Sequence, residues 1–267
     1  MVDIMSLNGW GGRLHAELVA YLADARPDVL CLQEVVVTPD APADEMVYRD
    51  LGLELPQRAN LFDDVRRALP EHFAQFCPAA RGDLWQGEVA YPSFWGLATF
   101  VHKSLPIVAQ AQGFVHGGFS PNGYGEHPRS RTGHVVRLYH FGQGRPLTIG
   151  HMHGLRDLAG KHDTPARAAQ ARRFAALVRS VAEPGDALVV GGDFNVEPDS
   201  ETFAILGELG LTDLVRTRGF TDTRTSHYAK PGRYADYMMV NAPLADAEFE
   251  VVTAPEVSDH RALLLRV

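Results

Sequence analysis

Two cysteines are all that the chain carries, Cys31 and Cys77, and they stand in ordinary sequence with no paired spacing. That excludes a disulfide framework and a zinc knuckle, and Cys31, inside an apolar stretch, reads as a small core residue. No apolar run is long enough to cross a bilayer as a helix, and Met1-Val2-Asp3-Ile4 opens without a basic region followed by a long apolar one. The expectation is a soluble, cytoplasmic protein without a signal peptide. Positive charge is in deficit, with 25 Lys and Arg against 33 Asp and Glu and a net charge of −8 with His neutral. An acidic surface argues against tight, sequence-blind binding of nucleic acid, and there is no lysine-rich stripe or aromatic ladder to form a track for it. A nuclease is still open, because a local basic patch or a bound metal can reverse the sign at a site. Internal repeats, low-complexity tracts and composition breaks are also missing, so residues 1–267 read as a single domain.

What is present is an ordinary globular composition, 45% hydrophobic and 22% charged, with ample material for a core. The chain centres on Leu188-Val189-Val190-Gly191-Gly192-Asp193-Phe194-Asn195-Val196-Glu197-Pro198. An apolar, β-branched run ending in glycines predicts a buried strand, and Pro198 with Asp199-Ser200 opens a helix. Side chains two apart on a strand share a face, so Asp193 and Asn195 can enter one pocket while Phe194 goes to the opposite side. The plainer alternative is a turn whose Asp and Asn satisfy their own backbone.

Residues 2–7 predict a first strand ending at Asn8 and the turn Gly9-Trp10-Gly11-Gly12. Leu14, Leu18, Val19 and Leu22 repeat at helical spacing until Pro27. Asp28–Val35 is a near-continuous apolar strand that carries Glu34, either a surface or salt-bridged carboxylate or a metal ligand. Residues 38–90 read as an excursion lying over the body of the domain, with a helix around Asn60–Leu69. A strand follows at 96–102, then a long loop at 113–131 whose His116, His127, Arg129 and Arg131 face either substrate or solvent. Strands at 134–141 and 147–153 form a hairpin, and the second ends in His151-Met152-His153, two imidazoles on one face. Thr164-Pro165 starts a long helix with Phe174, Leu177, Val178 and Val181 as its buried stripe, and Phe203–Leu209 forms a shorter one. Three strands close the chain, at 235–241, 248–253 and 262–267, the last just after Ser258-Asp259-His260.

Asn8, Glu34, His151, Asp193, Asn195, Asp236, Asp259 and His260 thus gather at strand ends, as residues of a shared active site would. Hard oxygen donors of this kind suit Mg²⁺ or Mn²⁺ better than zinc.

In the Asn8 turn, Leu32-Gln33-Glu34, Gly192-Asp193-Phe194-Asn195, Asp236-Tyr237 and Ser258-Asp259-His260, taken in order, the chain resembles the endonuclease/exonuclease/phosphatase superfamily of deoxyribonuclease-like metal-dependent phosphohydrolases. The resemblance spans nearly the whole chain. It implies an α/β fold, a four-layered α/β/β/α sandwich of two packed mixed sheets flanked by helices, and Mg²⁺- or Mn²⁺-dependent hydrolysis of a phosphate ester. It further implies that Glu34 is the principal metal ligand, with Asn8 and Asp259 near the ion. Asp193 would position or deprotonate the attacking water, Asn195 and His260 would hold the phosphate, and Asp236 would fix the tautomer of His260. His151 matches the family's strand-end imidazole in one register and His153 in the other, so either could serve the leaving group. Independently of the resemblance, Arg129 and Arg131 of the 113–131 loop are the expected substrate contacts, if that loop faces substrate rather than solvent. The chain departs from the pattern at Arg233-Tyr234-Ala235, where the family usually has an Arg before the Asp-Tyr pair.

A binuclear zinc hydrolase is the rival reading of His-x-His, but Leu155 and Arg156 stand where its further Asp and His belong. The other rivals are a catalytically inactive binding protein on the same fold and a nuclease acting on DNA or RNA. The acidic balance favours a small phosphorylated or lipid-like substrate.

Overall fold

In the computed structural model, which describes residues 1–267, alternating polarity sorts the first strands into two faces. In β1 (Asp3–Asn8) Ile4 enters an apolar core of 36 residues, while Met5 and Leu7 enter a second core of 14. Helix α1 (His15–Ala25) ends at Arg26, which takes a left-handed φ of 43° just before Pro27. β2 (Val29–Val37) runs parallel to β1 and repeats the alternation, Val29 and Cys31 to the larger core and Leu30 and Leu32 to the smaller.

The segment expected to lie over the body of the domain belongs instead to the sheet itself. It supplies β3 (Glu45–Asp50), β4 (Leu53–Arg58), α2 (Leu61–Ala68) and β5 (His72–Gln86), and β5 pairs along its length with β6 (Val89–His102). The eight-stranded sheet has the order β13-β14-β1-β2-β6-β5-β3-β4, closed by β13 (Glu248–Val251) and β14 (Leu263–Arg266). Many Pro, Asp and Gly residues disguised these strands, because edge and hairpin strands need no continuous apolar run.

The second sheet holds β7 (Ile107–His116), β8 (Arg131–His140), β9 (Arg145–His153), β10 (Ala187–Asp193), β11 (Thr212–Asp213) and β12 (Asp236–Val240) in the order β11-β12-β10-β9-β8-β7. Thr164 caps α3 (Pro165–Arg179) by accepting a hydrogen bond from the Arg167 N–H, and Ser200 caps α4 (Glu201–Gly207). A one-turn helix, α5 (Leu214–Thr217), follows β11. Leu18, Leu22, Leu61 and Val65 press α1 and α2 onto the first sheet, and Phe174 and Val178 press α3 onto the second. Gly133 leaves room for the Phe174 ring, which a Cβ there would approach to 3.1 Å. The result is the four-layered α/β/β/α sandwich. No helix is long and apolar enough to cross a membrane.

Candidate active site

Asp193, at the carboxyl end of β10, is where the two sheets meet chemically. Gly192 adopts φ 129°, and a Cβ there would come within 2.2 Å of the Met152 carbonyl oxygen, so the chain turns where only glycine fits. Asn195 follows with a left-handed φ of 54° and donates its backbone N–H to Asp193 Oδ1 at 3.1 Å, while Phe194 is fully buried in the core. Asp193 Oδ2 accepts from Asn8 Nδ2 of the other sheet at 3.0 Å, and His153 Nε2 and His260 Nε2 each stand 3.7 Å away.

Glu34 arrives by a bulge. Leu32 and Val35 both face the smaller core, so one extra residue has been inserted and the alternation reset. Glu34 takes φ 56° and emerges with its side chain 35% exposed, Oε1 3.9 Å from His153 Nε2. Trp10, Glu34 and Asn195 are all non-glycine residues at positive φ around this one site, and backbone strain concentrates where function holds it.

Asp236 stands opposite Asp193 in the β10–β12 pair and takes His260 Nδ1 at 2.8 and 3.0 Å. A carboxylate only accepts, so Nδ1 carries the proton and Nε2 is left facing Asp193 and Asp259 Oδ1, both 3.7 Å away. Arg224, bridged to His260 through the backbone, donates from Nη1 to Asp259 Oδ2 at 2.9 Å, also meets His260 Nε2, and lies 4.2 Å over the Tyr228 ring.

Burial raises a carboxyl's pKa, yet Asp193 is held well below the carboxylate range because His260, His153, Arg224 and Lys161 surround it. Burial pushes Asp236 up, and it pushes Asp259 up too, where the nearby Glu34 charge adds to the effect. Asp236 and Asp193 overcome burial to raise His260, whereas burial and then Arg131 push His153 down to about 3, which keeps that imidazole neutral.

Asn8, Glu34, His153, Asp193, Asn195, Asp236, Asp259 and His260 are therefore brought together. His151 is not: its ring lies between the sheets, 3.2 Å from Gln33 Nε2 and 2.8 Å from Thr99 Oγ1, and the rim imidazole is His153. Arg129 is engaged by other partners, ion-paired with Asp50 at 2.5 Å and bonded to Tyr48. Arg131 donates Nε to the Gly154 carbonyl at 2.9 Å, and its guanidinium lies in the field of Glu34 and Asp193. Sequence reasoning missed Arg224 and Lys161, which stand in loops without periodic pattern. Gln33 could have been found, because it is a polar residue inside an apolar run.

The model of the endonuclease/exonuclease/phosphatase family matches residues 5–260. The chain belongs to this family. An endonuclease/exonuclease/phosphatase from Bacteroides vulgatus has a similar structure, with TM-score 0.63, 16% identity and coverage of 99% of this chain and 97% of that one. The human nocturnin catalytic domain gives TM-score 0.62 at 18% identity, covering 99% and 92%. A mannosyl-6-phosphatase of Bacteroides thetaiotaomicron gives 0.61 at 17%, covering 100% and 99%. At these identities the likeness is one of fold. No curated protein matches the chain.

Proposed function

We propose that this family member hydrolyses a phosphate ester with the help of Mg²⁺ or Mn²⁺ held by Glu34, with Asn8 and Asp259 beside the ion. Support comes from the donors themselves, hard oxygens brought to one rim, and from Asp259 Oδ1, which is buried without a hydrogen-bond partner. The Glu34 charge also raises the Asp259 pKa, a like-charge crowding that a divalent cation relieves. The ligand atoms of Asp193, Asp236 and His260 also lie within 4.8 Å of one another. There, however, Asp236 is engaged by the His260 imidazole, and Asp193 stands 3.7 Å from its Nε2. Bound at Glu34, the ion supplies Lewis-acid neutralisation of charge on the phosphoryl oxygens.

The remaining roles follow from the chain's own groups. Asp193, ionised and facing inward, orients the attacking water. His260 in its protonated form, favoured by the raised pKa, donates from Nε2 and the Asn195 carboxamide donates alongside it to phosphate oxygens, with Asp236 holding the proton on Nδ1. Arg224 lies beside the same imidazole and adds positive charge there. Neutral His153 stands between Glu34 and Asp193 on the other wall, where a leaving group would sit. The observation that carries this reading is the convergence of Asn8, His153 and His260 on Asp193 Oδ2.

The net charge of −8 favours a small phosphorylated or lipid-like substrate over a long nucleic acid. Purified protein with Mg²⁺ or Mn²⁺, assayed against sugar phosphates, inositol phosphates, sphingomyelin, an abasic duplex and single strands, is expected to turn over a small ester and to stop when the metal is chelated. Silence across the whole panel would leave the inactive binding protein, and turnover only of the nucleic acids would favour the nuclease.

Arg131→Ala is expected to raise KM about tenfold, the loss of one charge-assisted contact worth about 1.4 kcal/mol. Arg129→Ala, in a separate cluster, is expected to leave KM unchanged. Equal effects of the two substitutions would remove Arg131 from the substrate wall.

A further inference from the structure

One of the two histidines at the end of β9 is left over by the proposed chemistry. His151 belongs to a hydrogen-bonded chain buried between the sheets. Gln33 Nε2 lies 3.0 Å from the Cys31 carbonyl and 3.2 Å from His151 Nδ1, His151 Nε2 lies 2.8 Å from Thr99 Oγ1, and Thr99 Oγ1 lies 2.6 Å from His134 Nδ1. One proton pattern satisfies these four contacts and leaves only Gln33 Oε1 without a partner. An amide NH₂ only donates, so His151 Nδ1 accepts, its Nε2–H donates to Thr99, and the Thr99 hydroxyl donates to His134. Both imidazoles are neutral in this pattern, in line with burial pushing His134 down to about 4 and His151 well below its ordinary value.

Polar groups in such a place are costly, since hydrogen bonds inside the core only offset the desolvation that Val or Leu would avoid. Their location supplies a reason. Gln33 is fully buried on the inward face of β2, directly before the bulge, and the next residue is Glu34 at φ 56°. A non-glycine residue keeps a left-handed conformation only where its surroundings over-determine it. Leu32 and Val35 pin the outer side of the bulge in the smaller core, and Gln33 is the pin on the inner side.

We propose that the Gln33–His151–Thr99–His134 chain is a brace that fixes the bulge presenting Glu34, so that Gln33 and His151 are positioning residues for the metal ligand. The inference rests on Glu34 being that ligand, as read above.

Its test is calorimetric titration of the full chain with Mn²⁺ alone. Gln33→Met keeps the length of the side chain and removes its donors, and His151→Leu removes the acceptor. Each is expected to weaken Mn²⁺ binding by about 10- to 100-fold, the usual effect of losing a group that orients a metal ligand. His151→Asn returns an acceptor near the Nδ1 position and is expected to bind within about threefold of the parent protein. Val136→Ala, a cavity in the same core outside the chain, is expected to lower Tm and leave Mn²⁺ affinity unchanged. The brace is overturned if Gln33→Met, folded by near-UV circular dichroism, binds Mn²⁺ as the parent does, or if Val136→Ala weakens binding as much. Should His151→Leu not fold, the Gln33→Met and His151→Asn results decide. Glu34→Gln separates the two ideas. If it binds Mn²⁺ normally, the metal assignment itself fails, whereas a loss there with none in Gln33→Met defeats the brace alone.

Discussion

Glu34→Gln is expected to lower turnover by about a thousandfold or more, roughly 4 kcal/mol of transition-state stabilisation, while the protein stays folded. The substitution is nearly isosteric and removes only the charge, so any loss belongs to electrostatics. Two observations predict that Tm holds. The Glu34 side chain is 35% exposed and contributes little to packing, and its charge opposes that of Asp259. Without metal the variant should therefore be as stable as the parent or slightly more so. Parallel thermal melts and steady-state assays at saturating Mg²⁺ check both halves. Near-normal turnover would refute Glu34 as the ligand.

His260→Ala is expected to cost a similar factor, about a thousandfold, because it removes the group placed on the phosphate together with the partner of Asp236. It differs from Glu34→Gln in stability. Asp236 is buried and would be left without its imidazole, and breaking a buried ion pair costs about 3–5 kcal/mol. The assay then belongs well below the lowered Tm. Asp236→Asn offers the finer test, since it keeps the shape while ending the preference for a proton on Nδ1. Loss of about a hundredfold or more is expected there, and the double substitution should be no worse than His260→Ala alone. An Asp236→Asn protein with full activity would show that holding the proton on His260 Nδ1 does not matter.

Most strands and both long helices were legible because their physics is local. Leu14, Leu18 and Leu22 mark one face of a helix, Thr164-Pro165 its successor's first turn, and the glycines before Asp193 a strand end. The strands of residues 38–90 were not legible, since they are mostly exposed or half-buried and pair with one another and with β6, so no continuous apolar run marks them. His151 and His153 share a face of β9, so spacing cannot choose between them. Register can: Gly191 lies opposite His151, and Asp193 opposite His153. Depth along the strand, invisible in the sequence, puts one imidazole at the rim and the other in the core.

The basic residues tell the same story from the other side. Arg129 and Arg131 are two residues apart, yet Asp50 and Tyr48 take the first and the Gly154 carbonyl the second, at the start of β8. Arg224 reaches His260 across a single bridge from a loop with no periodic signal. By itself the sequence determined which polar side chains sit at strand ends, because strand and helix formation respond to near neighbours. Only the tertiary structure decided which of them meet, because closing two sheets face to face brings together residues as far apart as Asn8 and Asp193, and such meetings depend on register rather than on composition.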